Sequence, residues 1–532
     1  MDTFPTRFVL SPKWDAERAF QTIDEMYFLE QEAERQLSHV YYDSFDWRLY
    51  AGGGVLRLQH SGKERQLIWS DISEASPRET LRVTDDVPRF SWNLPLGLAR
   101  EQVEPLLEMR ALLPQLEIRT TQLPVRILDD EQKTVLRLFI ETHSCRSPKT
   151  AAFKPLGCRI RLVPVRGYGE HLLSMQTFLA RKLRFKGDQG NLLLGGIEAL
   201  GRKVLDYSSK LNFKLDPAQR ADTVAKQIHL HLLNTLETNI PGTKADLDSE
   251  FLHDLRVATR RTRSALTQIK GVFSDEDVER FKSRLAWIGS ITGPTRDMDV
   301  YLLGYEDYRD SLPEQFRRDL EPLHSFLVAH QKSEHQAMVR KINSPHFRVL
   351  LKEWRAFLEA PAPKKPAASN AAKPVVTVAG RRIYRVFERL LADGRAIQPD
   401  SPAEMLHELR KDCKKLRYLL EFFQSLYPQK RVKPLIKALK SLLDNLGEFQ
   451  DLEVQADKLR EFAHQMIEEG DVPADTLLAM GMLVDGLLRR QQLARGVFSE
   501  RFTAFSSAEN CAVFEALFSP GSKKKRKKEK AA

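Results

Sequence analysis

The chain has 532 residues, which is more than a single hydrophobic core usually serves, so we expect two or three domains. Hydrophobic residues make up 42% of the sequence, and no stretch approaches the ~18 uninterrupted apolar residues that predict a membrane-spanning helix. The formal net charge is +11, but the C-terminal KKKRKKEK (523–530) supplies +6 of it, seven basic residues minus one acid. A basic function of the folded part must therefore come from clustered rather than bulk charge.

The cysteines and the N-terminal residues indicate the cellular compartment in which we expect the protein. Cys145, Cys158, Cys413 and Cys511 are scattered without a CxxC pair, which argues against a zinc knuckle or a disulfide scaffold and fits a reducing environment. The first residues, MDTFPTRFVLSPKWD, lack the basic and apolar regions of a signal peptide. We expect a soluble cytoplasmic protein.

The first part of the chain, residues 1–203, carries short runs in which apolar and polar residues alternate. The runs are VLRLQ (55–59), LEIRTTQ (116–122), TVLRLFIETH (134–143) and CRIRLVPV (158–165). Period two is typical of strands with one buried and one exposed face. The polar face carries Arg57, Arg119, Arg137, Arg159, Arg161 and Glu141. Because helical segments intervene, we predict an antiparallel α+β domain.

The stretch VYYDSFDWRLYAGGGVLRLQ (40–59) resembles the pattern of the CYTH family. The resemblance implies a tunnel of eight antiparallel strands, shaped like a β-barrel, that binds triphosphates. In active members an ExExK strand supplies carboxylates for a metal ion and a lysine for phosphate. Paired carboxylates of this kind hold Mg²⁺ or Mn²⁺ so that the ion bridges a triphosphate and activates water.

This sequence lacks residues of the CYTH pattern that catalysis would require. The matching first strand, TRFVLSP (6–12), has no glutamate, Gln59 replaces the second basic residue of LRxR, and QLIWSD (66–71) lacks the expected lysine. The residues that match or resemble those of the family are Arg57, Arg119, Arg126, Arg137 and Glu141. We expect no metal-dependent triphosphatase activity, and the domain is left with either metal-free anion binding or a scaffold role.

From about residue 204 the apolar period changes to 3.6, which is typical of amphipathic helices joined by short turns. We predict an all-α part made of two helical repeats, 204–359 and 379–515. Between them, the Pro- and Ala-rich segment 360–378 is expected to be a linker. The polar tail 516–532 is expected not to fold.

The two helical repeats are related by a constant offset. His253 and His407 are 154 residues apart (407 − 253), and the same offset relates RDMDV (296–300) to QDLEV (450–454). It also relates Arg256 to Arg410, Arg260 to Lys414, Arg261 to Lys415 and Arg263 to Arg417. A register kept over two separate segments indicates an internal duplication, so we predict two helical bundles related by a pseudo-two-fold axis.

The spacing of the basic residues places them on one helix face. Offsets of 0, 3, 7 and 10 residues fall within about 80° of arc, as a stripe roughly 15 Å long. Like charges three and four residues apart cost roughly a few tenths of a kcal/mol per pair, and unless neighbouring acids offset this repulsion it is explained by an absent polyanion. A basic face of this kind is often only solvated, but its repetition in register favours a polyanionic ligand that arginine can bind through two nitrogens at once.

The motifs HDLRVATRRTRSAL (253–266) and LHELRKDCKKLRYLLEFF (406–423), with RDMDV and QDLEV after them, resemble the CHAD family, the conserved histidine α-helical domain. The resemblance covers about residues 205–515 and implies two pseudo-symmetric four-helix units whose basic faces bind inorganic polyphosphate. Some members associate with polyphosphate granules. The residues predicted to form this surface are His253, Arg256, Arg260, Arg261, Arg263, His407, Arg410, Lys414, Lys415 and Arg417, extended by Arg284, Lys437 and Lys440. Arg490 and Arg501 are further candidates.

The histidines and the nearby acids each allow two interpretations. His253 and His407 are either metal ligands or phospho-acceptors, as in an early interpretation of the family, or phosphate hydrogen-bonding or structural groups; we favour the second. The acids Asp297, Asp299, Asp451 and Glu453 either chelate a cation or, as we expect, orient basic residues such as Arg261 and Lys415 by ion pairing. We predict no metal site, no cofactor and no catalytic residue.

The sequence thus predicts a non-enzymatic protein that binds inorganic polyphosphate in the cytoplasm, with granules as one location. The alternative is a CYTH-type triphosphatase in which the helical part recruits or regulates. Nucleic-acid binding is a third hypothesis, which the basic tail keeps open but which the scarcity of exposed aromatic residues disfavours. The sequence does not predict an oligomeric state.

Overall fold

The structure of the protein is a computed structural model that describes residues 6–73, 77–188, 191–470 and 472–520. The chain divides into two compact units, Met1–Ser208 and Ser209–Ala532, named here the sheet unit and the helical unit. The first is an antiparallel α+β fold and the second is all-α, so the predicted fold class is confirmed. None of the described helices is long and apolar enough to span a membrane.

The described part of the sheet unit contains ten strands in one antiparallel sheet. They are β1 (Arg7–Val9), β2 (Phe28–Gln31), β3 (Arg35–Asp43), β4 (Gly54–Ser61), β5 (Glu64–Asp71), β6 (Pro77–Arg82), β7 (Leu113–Leu128), β8 (Thr134–Arg146), β9 (Lys154–Pro164) and β10 (Lys186–Gly187). Their order in the sheet is β10-β1-β9-β8-β7-β3-β4-β5-β6, and β2 also pairs with β7. The four alternating runs of the sequence lie in β4, β7, β8 and β9.

Helices pack on both faces of this sheet. They are α1 (Ala16–Asp24), α2 (Arg48–Ala51), α3 (Leu98–Leu107), α4 (Gly169–Thr177) and α5 (Leu192–Ala199). In β8, Leu138 and Ile140 are each 1% exposed and belong to the same apolar core as residues of α1 and α4. Phe139 and Glu141 point the other way and line a cavity, because successive strand residues face opposite sides.

The helical unit is built from eleven described α-helices. They are α6 (Ala221–Lys244), α7 (Ser249–Gln268), α8 (Asp275–Leu303), α9 (Tyr305–Ser311), α10 (Glu321–Ile342), α11 (Pro345–Glu359), α12 (Val375–Ala396), α13 (Ala403–Phe423), α14 (Gln429–Glu469), α15 (Ala474–Phe505) and α16 (Ala508–Phe518). α7 begins at an N-cap, Asp248, whose carboxylate accepts from the backbone N–H groups of Glu250 and Phe251.

The helix boundaries repeat with the offset seen in the sequence. α6, α7 and α8 begin at residues 221, 249 and 275, and α12, α13 and α14 begin 154 residues later, at 375, 403 and 429. α10 and α15 begin at 321 and 474, which is an offset of 153. Each repeat therefore contributes four equivalent helices, and equivalent residues occupy equivalent places on them.

The two repeats share their hydrophobic cores. One core joins residues of α6, α7 and α8 with residues of α12, α13 and α14, and includes the repeat-equivalent pair Leu255 and Leu409. A second core joins the ends of α8 and α10 to the ends of α14 and α15, with Leu323 and Leu459 both 0% exposed. Burying one leucine contributes about 1.5–3 kcal/mol, so the first core fixes α7 against α13.

The Pro- and Ala-rich segment between α11 and α12 packs against the start of α6. The backbone carbonyls of Ala371 and Lys373 accept from the N–H groups of Asp222 and Ala221, at 3.0 and 2.9 Å. Ala371 is 1% exposed. The segment therefore supplies acceptors for helix N–H groups that otherwise lack partners, in addition to joining the repeats. Residues 375–378, predicted as linker, are the first turn of α12.

Candidate functional site

A cavity of about 500 Å³, named here the central cavity, lies in the helical unit where α7, α13 and α14 meet. Its lining comprises Ser209, then His253, Asp254, Val257, Arg260 and Arg261 of α7, Arg410, Lys414, Arg417 and Tyr418 of α13, and Leu443, Asp444, Gly447, Glu448 and Asp451 of α14. The two basic stripes therefore converge on one cavity, with cations from both repeats.

Arg260 and Lys414 occupy equivalent positions in the two repeats and both line the central cavity. The Arg260 Nε donates to the Tyr418 hydroxyl at 2.9 Å. The pKa of Lys414 is lowered to about 8. Burial is the largest cause, and the positive charges of the neighbouring Arg410 and Arg260 add to it. Within the described residues no carboxylate lies at ion-pair distance from Lys414, so this half-buried ammonium is repelled more than it is neutralised.

Arg256 and Arg410 are also equivalent, but their environments differ. Arg410 donates to Gln450 Oε1 at 2.7 Å and to Asp451 Oδ1 at 2.9 Å, and it lines the central cavity. Arg256 donates to the Gly289 carbonyl and to Thr292 Oγ1, both at 3.0 Å. Arg256 is absent from the cavity lining, and its hydrogen bonds join α7 to α8.

A pair of equivalent glycines, which the sequence analysis missed, lies beneath these two arginines. Gly293 and Gly447 differ by the same 154 residues (447 − 293). A methyl group on Gly293 would lie 3.6 Å from Arg256 Nη1, and one on Gly447 would lie 3.7 Å from Arg410 Nη2. Alanine is therefore accommodated, but a larger side chain would displace the guanidinium. The repeat offset was the signal that could have identified them.

Glu421 on α13 joins cations of the two repeats, and the sequence analysis missed it as well. Its Oε1 accepts from Arg417 Nε at 2.7 Å, and its Oε2 lies 3.5 Å from Arg261 Nη2. Arg261 also donates to the Ser209 carbonyl at 2.9 Å. One carboxylate thus holds two guanidinium groups at the cavity and neutralises about half of their charge.

The structure places several predicted binding residues outside the lining of the central cavity. Arg284 forms an ion pair with Glu353 of α11, and Lys415 donates to Asp412 Oδ1 at 2.7 Å. Arg263 is exposed on α7. Lys437 and Lys440 line a second groove of about 750 Å³ together with Arg490 and Arg501.

The two histidines have different surroundings. His253 lines the central cavity, and its Nδ1 lies 3.2 Å from Arg296 Nη2. His407 lies outside the lining, with its Nε2 2.9 Å from Glu453 Oε2. Only His253 is therefore placed to contact an anion in the central cavity.

The acids of the QDLEV segment contact basic groups, but not the predicted ones. Asp451 contacts Arg410 and Glu453 contacts His407, whereas Arg261 and Lys415 pair with other carboxylates. Burial raises the pKa of Asp299 to about 6. In the described part of the chain, no three or more His, Cys, Asp or Glu side chains are grouped so that they could hold a metal ion.

Two acids form the wall of the central cavity that adjoins the second groove. Asp444 and Glu448 are exposed on α14 and line both the central cavity and the second groove. Glu448 Oε1 lies 3.9 Å from Arg490 Nη2. Because both carboxylates face solvent, water and salt screen them more than they screen the half-buried Lys414.

The sheet unit has a separate cavity of about 520 Å³, named here the sheet cavity, which the inward faces of β1, β3, β4, β7, β8 and β9 enclose. The arginines that line it are Arg7, Arg35, Arg57, Arg159 and Arg161. The two carboxylates of its described lining are paired, since Glu141 accepts from Arg161 at 3.2 Å and Asp188 accepts from Arg159 at 2.8 Å.

The residues that resemble those of CYTH proteins are only partly brought together. Arg57 and Glu141 line the sheet cavity, but Arg119, Arg126 and Arg137 are absent from its lining. Arg126 pairs with Glu30, and Arg119 lies 3.7 Å from Glu117. Arg7, Arg35 and two histidines of the lining were not predicted from the sequence, because the curvature of the sheet selects the part of each strand that faces the cavity.

Comparison with known proteins assigns the helical unit. Residues 227–460 match the family model of the CHAD domain. The helical unit therefore contains a CHAD domain, as the sequence predicts. The CHAD domain from the plant Ricinus communis aligns with 23% identity and a TM-score of 0.47, over 56% of this chain and 96% of that one. No curated protein matches the chain.

Two solved structures align with a smaller share of the chain. A candidate adenylate cyclase from Bacillus halodurans has 11% identity and a TM-score of 0.25, over 36% of this chain and 95% of that one. A candidate adenylyl cyclase from Hippeastrum, described as having a dominant triphosphatase activity, has 11% identity and a TM-score of 0.24, over 38% of this chain and 97% of that one. At these values the matches say nothing about the activity of this chain.

Proposed function

We propose that the chain binds inorganic polyphosphate in the central cavity and does not hydrolyse it. The observation that carries the proposal is Lys414, which is half-buried beside Arg410 and Arg260 with its pKa lowered to about 8. A cluster of this kind is unfavourable when empty, and a polyanion converts the repulsion into charge-assisted hydrogen bonds. The polyphosphate binding that the CHAD resemblance implies fits this chemistry.

A linear polyanion fits the cavity better than a single phosphate. Arg260 comes from one repeat, and Arg410, Lys414 and Arg417 come from the other, so the cations surround a volume of about 500 Å³. Guanidinium groups bind adjacent phosphate oxygens in pairs, and several residues of a phosphate chain use several cations at once. Association with polyphosphate granules in the cytoplasm is part of the same proposal.

Nucleic acid is a less suitable ligand for this cavity. The described lining has two aromatic rings: Tyr418 is 9% exposed with its hydroxyl engaged by Arg260, and His253 has its Nδ1 3.2 Å from Arg296 Nη2. Proteins that bind single strands commonly stack bases on exposed aromatic rings. The lining therefore provides phosphate contacts without base contacts.

A competition experiment at physiological salt tests this function. Long-chain polyphosphate, single-stranded DNA and duplex DNA compete for the full chain, and the Lys414→Gln variant is measured beside it. We expect polyphosphate to displace both DNAs and to bind the variant at least tenfold more weakly. Equal competition by DNA, or unchanged affinity in the variant, contradicts the proposal.

The enzymatic alternative places triphosphate hydrolysis in the sheet cavity. There Glu141 accepts from Gln122 at 2.7 Å and from Arg161, so this carboxylate is engaged by neighbours that stabilise it as a structural acceptor. Phosphate release from tripolyphosphate with Mg²⁺ or Mn²⁺ is the test. We expect no turnover, and turnover that Glu141→Ala abolishes would establish the enzymatic alternative.

A further inference from the structure

The second groove of the helical unit lies between two long helices, α14 and α15. Asn445 of α14 donates through its Nδ2 to the Ala494 carbonyl of α15 at 2.8 Å. Further along α14, Glu448 Oε1 lies 3.9 Å from Arg490 Nη2 of α15. The residue number rises on α14 while it falls on α15, so the two helices are antiparallel. The function proposed above concerns the central cavity and does not require this groove.

Each of the two helices contributes one face to the groove. The lining of α14 extends from Lys437 to Glu448, and the lining of α15 comprises Arg490, Leu493, Ala494, Val497 and Arg501. Spacings of three and four residues place the α15 set on one side of that helix. From residue 437 to residue 448 a helix rises by about 16 Å. The groove therefore has the length of about three helical turns.

The middle of the groove is apolar and open to solvent. Leu493 is 72% exposed and Val497 is 37% exposed, and Ala494 lies beside them in the lining. The two larger side chains are four residues apart on α15, so they are neighbours on its surface. Single exposed apolar residues are normal, but apolar residues grouped in a groove favour an interaction site. Covering them requires a partner with apolar side chains of its own.

The two ends of the groove carry different charges. Because the helices are antiparallel, Lys437 and Lys440 of α14 lie at the same end as Arg501 of α15. Among the described residues, no carboxylate lies at ion-pair distance from any of these three cations. The opposite end contains the exposed carboxylates of Asp444 and Glu448. The cationic end therefore favours acidic side chains of a partner, and the other end does not.

We propose that the second groove binds an amphipathic α-helix of a partner protein. The apolar side chains of that helix cover Leu493 and Val497, and its acidic side chains pair with Lys437, Lys440 and Arg501. A third helix packs well into the groove between two antiparallel helices, because its side-chain ridges enter the groove between them. About three turns of the partner helix fill the groove.

Two other occupants match only part of the groove. Inorganic polyphosphate pairs with the cationic end, but it has no apolar group that could cover Leu493 and Val497. An anionic membrane surface offers both apolar chains and charge, but it would bring negative headgroups against Asp444 and Glu448. A peptide helix satisfies the whole groove, since its acidic and apolar side chains can be placed separately along it.

The test is a display selection of helical peptides of about 16 residues against the full chain, at physiological salt and without polyphosphate. We expect the enriched peptides to carry apolar residues at i, i+3 or i+4, and i+7, with Asp and Glu toward one end. Their affinities are then measured by fluorescence anisotropy. Leu493→Gln/Val497→Gln should weaken binding at least tenfold, because two buried apolar contacts are lost, and Lys437→Glu/Arg501→Glu should weaken it to a similar extent.

Matched variants separate the groove from the rest of the molecule. Leu478 and Leu488, also on α15, are 61% and 42% exposed and are absent from the described lining of the groove. Leu478→Gln/Leu488→Gln should therefore bind the peptides like the parent chain. Lys414→Gln should also bind them normally, because Lys414 lines only the central cavity. In Leu493→Gln/Val497→Gln, polyphosphate affinity should be unchanged, so failure of this proposal is distinguishable from failure of the proposed function.

Several outcomes contradict the proposal. They are a selection without enriched peptides, enriched peptides that lack acidic residues, and peptides that bind Leu493→Gln/Val497→Gln as tightly as the parent chain. Self-association of the chain that the same variant abolishes would assign the groove to a second copy. Binding of phosphatidylserine vesicles that this variant abolishes would assign it to a membrane surface. Either result overturns the proposal.

A second measurement does not depend on the folding of a variant. An enriched peptide that carries a benzophenone among its apolar residues is irradiated with the parent chain, and the attachment site is read by mass spectrometry. We expect attachment within residues 490–501 of α15 or 437–448 of α14, which line the groove. Attachment mainly to α7 or α13 would place the peptide in the central cavity and contradict the proposal.

Discussion

The central cavity and the sheet cavity are similar in size, about 500 and 520 Å³, and arginines line both, yet they hold positive charge in different ways. In the sheet cavity Arg159 and Arg161 have carboxylate partners, and two neutral histidines lie beside them. In the central cavity Lys414 has no carboxylate at ion-pair distance among the described residues, and Asp451 only partly offsets the repulsion from Arg410 and Arg260. Both cavities therefore carry permanent positive charge from arginines, and they differ in the further titratable groups, which are a half-buried lysine in the central cavity and two histidines in the sheet cavity.

The largest expected effect comes from reversing the equivalent pair in the central cavity. In the Arg260→Glu/Lys414→Glu variant two charge-assisted contacts become repulsive, so we expect polyphosphate affinity to fall by about 3–6 kcal/mol. Calorimetry or filter binding with long-chain polyphosphate at physiological salt measures the loss.

A variant with the same change in net charge is the control. Lys332 on α10 and Lys433 on α14 are exposed and belong to neither described cavity nor the second groove. Lys332→Glu/Lys433→Glu should lose no more than about 1 kcal/mol, because exposed charges are screened. Equal losses in both variants would show that bulk charge, and not the central cavity, binds the polymer.

The second effect is a pH dependence carried by Lys414. Its pKa is about 8 in the free chain, and a bound polyanion raises it, so affinity falls as pH rises above 8 by up to about tenfold per unit. Lys414→Arg keeps its charge and should remove most of this dependence between pH 7 and 9.5. A parent chain whose affinity is constant over that range contradicts the role of Lys414.

The same pKa has the opposite consequence for the stability of the free chain. Because the folded pKa of Lys414 lies below its ordinary value of 10.5, the unfolded chain binds more protons between about pH 8 and 10.5. This residue therefore makes the free energy of unfolding rise with pH in that window. Denaturant unfolding at pH 8 and 9.5, in the parent and in Lys414→Met, measures the difference.

A smaller effect is expected when the carboxylate shared by the two repeats is removed. Glu421→Gln releases Arg261 and Arg417 from their common acceptor, so we expect polyphosphate affinity to rise by about 0.5–1 kcal/mol while stability decreases. Binding and thermal unfolding are measured on the same sample. A fall in affinity would mean that Glu421 positions these arginines for the ligand.

The smallest expected change in polyphosphate affinity tests whether the second groove contributes to binding. Lys437→Ala/Lys440→Ala removes two exposed charges of the second groove, and we expect a two- to threefold loss, which is about 0.4–0.6 kcal/mol. Arg284→Met should not change affinity, because Glu353 already neutralises Arg284. A loss above tenfold in the lysine variant would extend the binding surface into the second groove.

The sequence predicts the basic helix faces because periodicity decides which residues share a face. Arg260 and Lys414, which it predicts on these faces, both line the central cavity. The sequence does not reveal that Arg256 donates to Gly289 and Thr292, since these acceptors lie on another helix and no spacing rule connects them.

The predicted binding residues that lie outside the central cavity differ in whether the sequence could have revealed their ion pairs. Asp412 precedes Lys415 by three residues on the same helix, so that ion pair was readable from the sequence. The pairing of Arg284 with Glu353 depends on how α11 packs on α8, and this packing is fixed by long-range contacts. In the sheet unit, alternation predicts the inward faces, but only the curvature of the sheet brings His39 and His143 into one cavity.

The most direct test is a crystal structure of the full chain with a short polyphosphate bound. The account predicts phosphate groups within hydrogen-bond distance of Arg260 and Lys414, with Arg410 and Arg417 contacting further phosphates of the same chain. A polymer bound elsewhere on the helical unit, with the central cavity free of phosphate, would contradict the account.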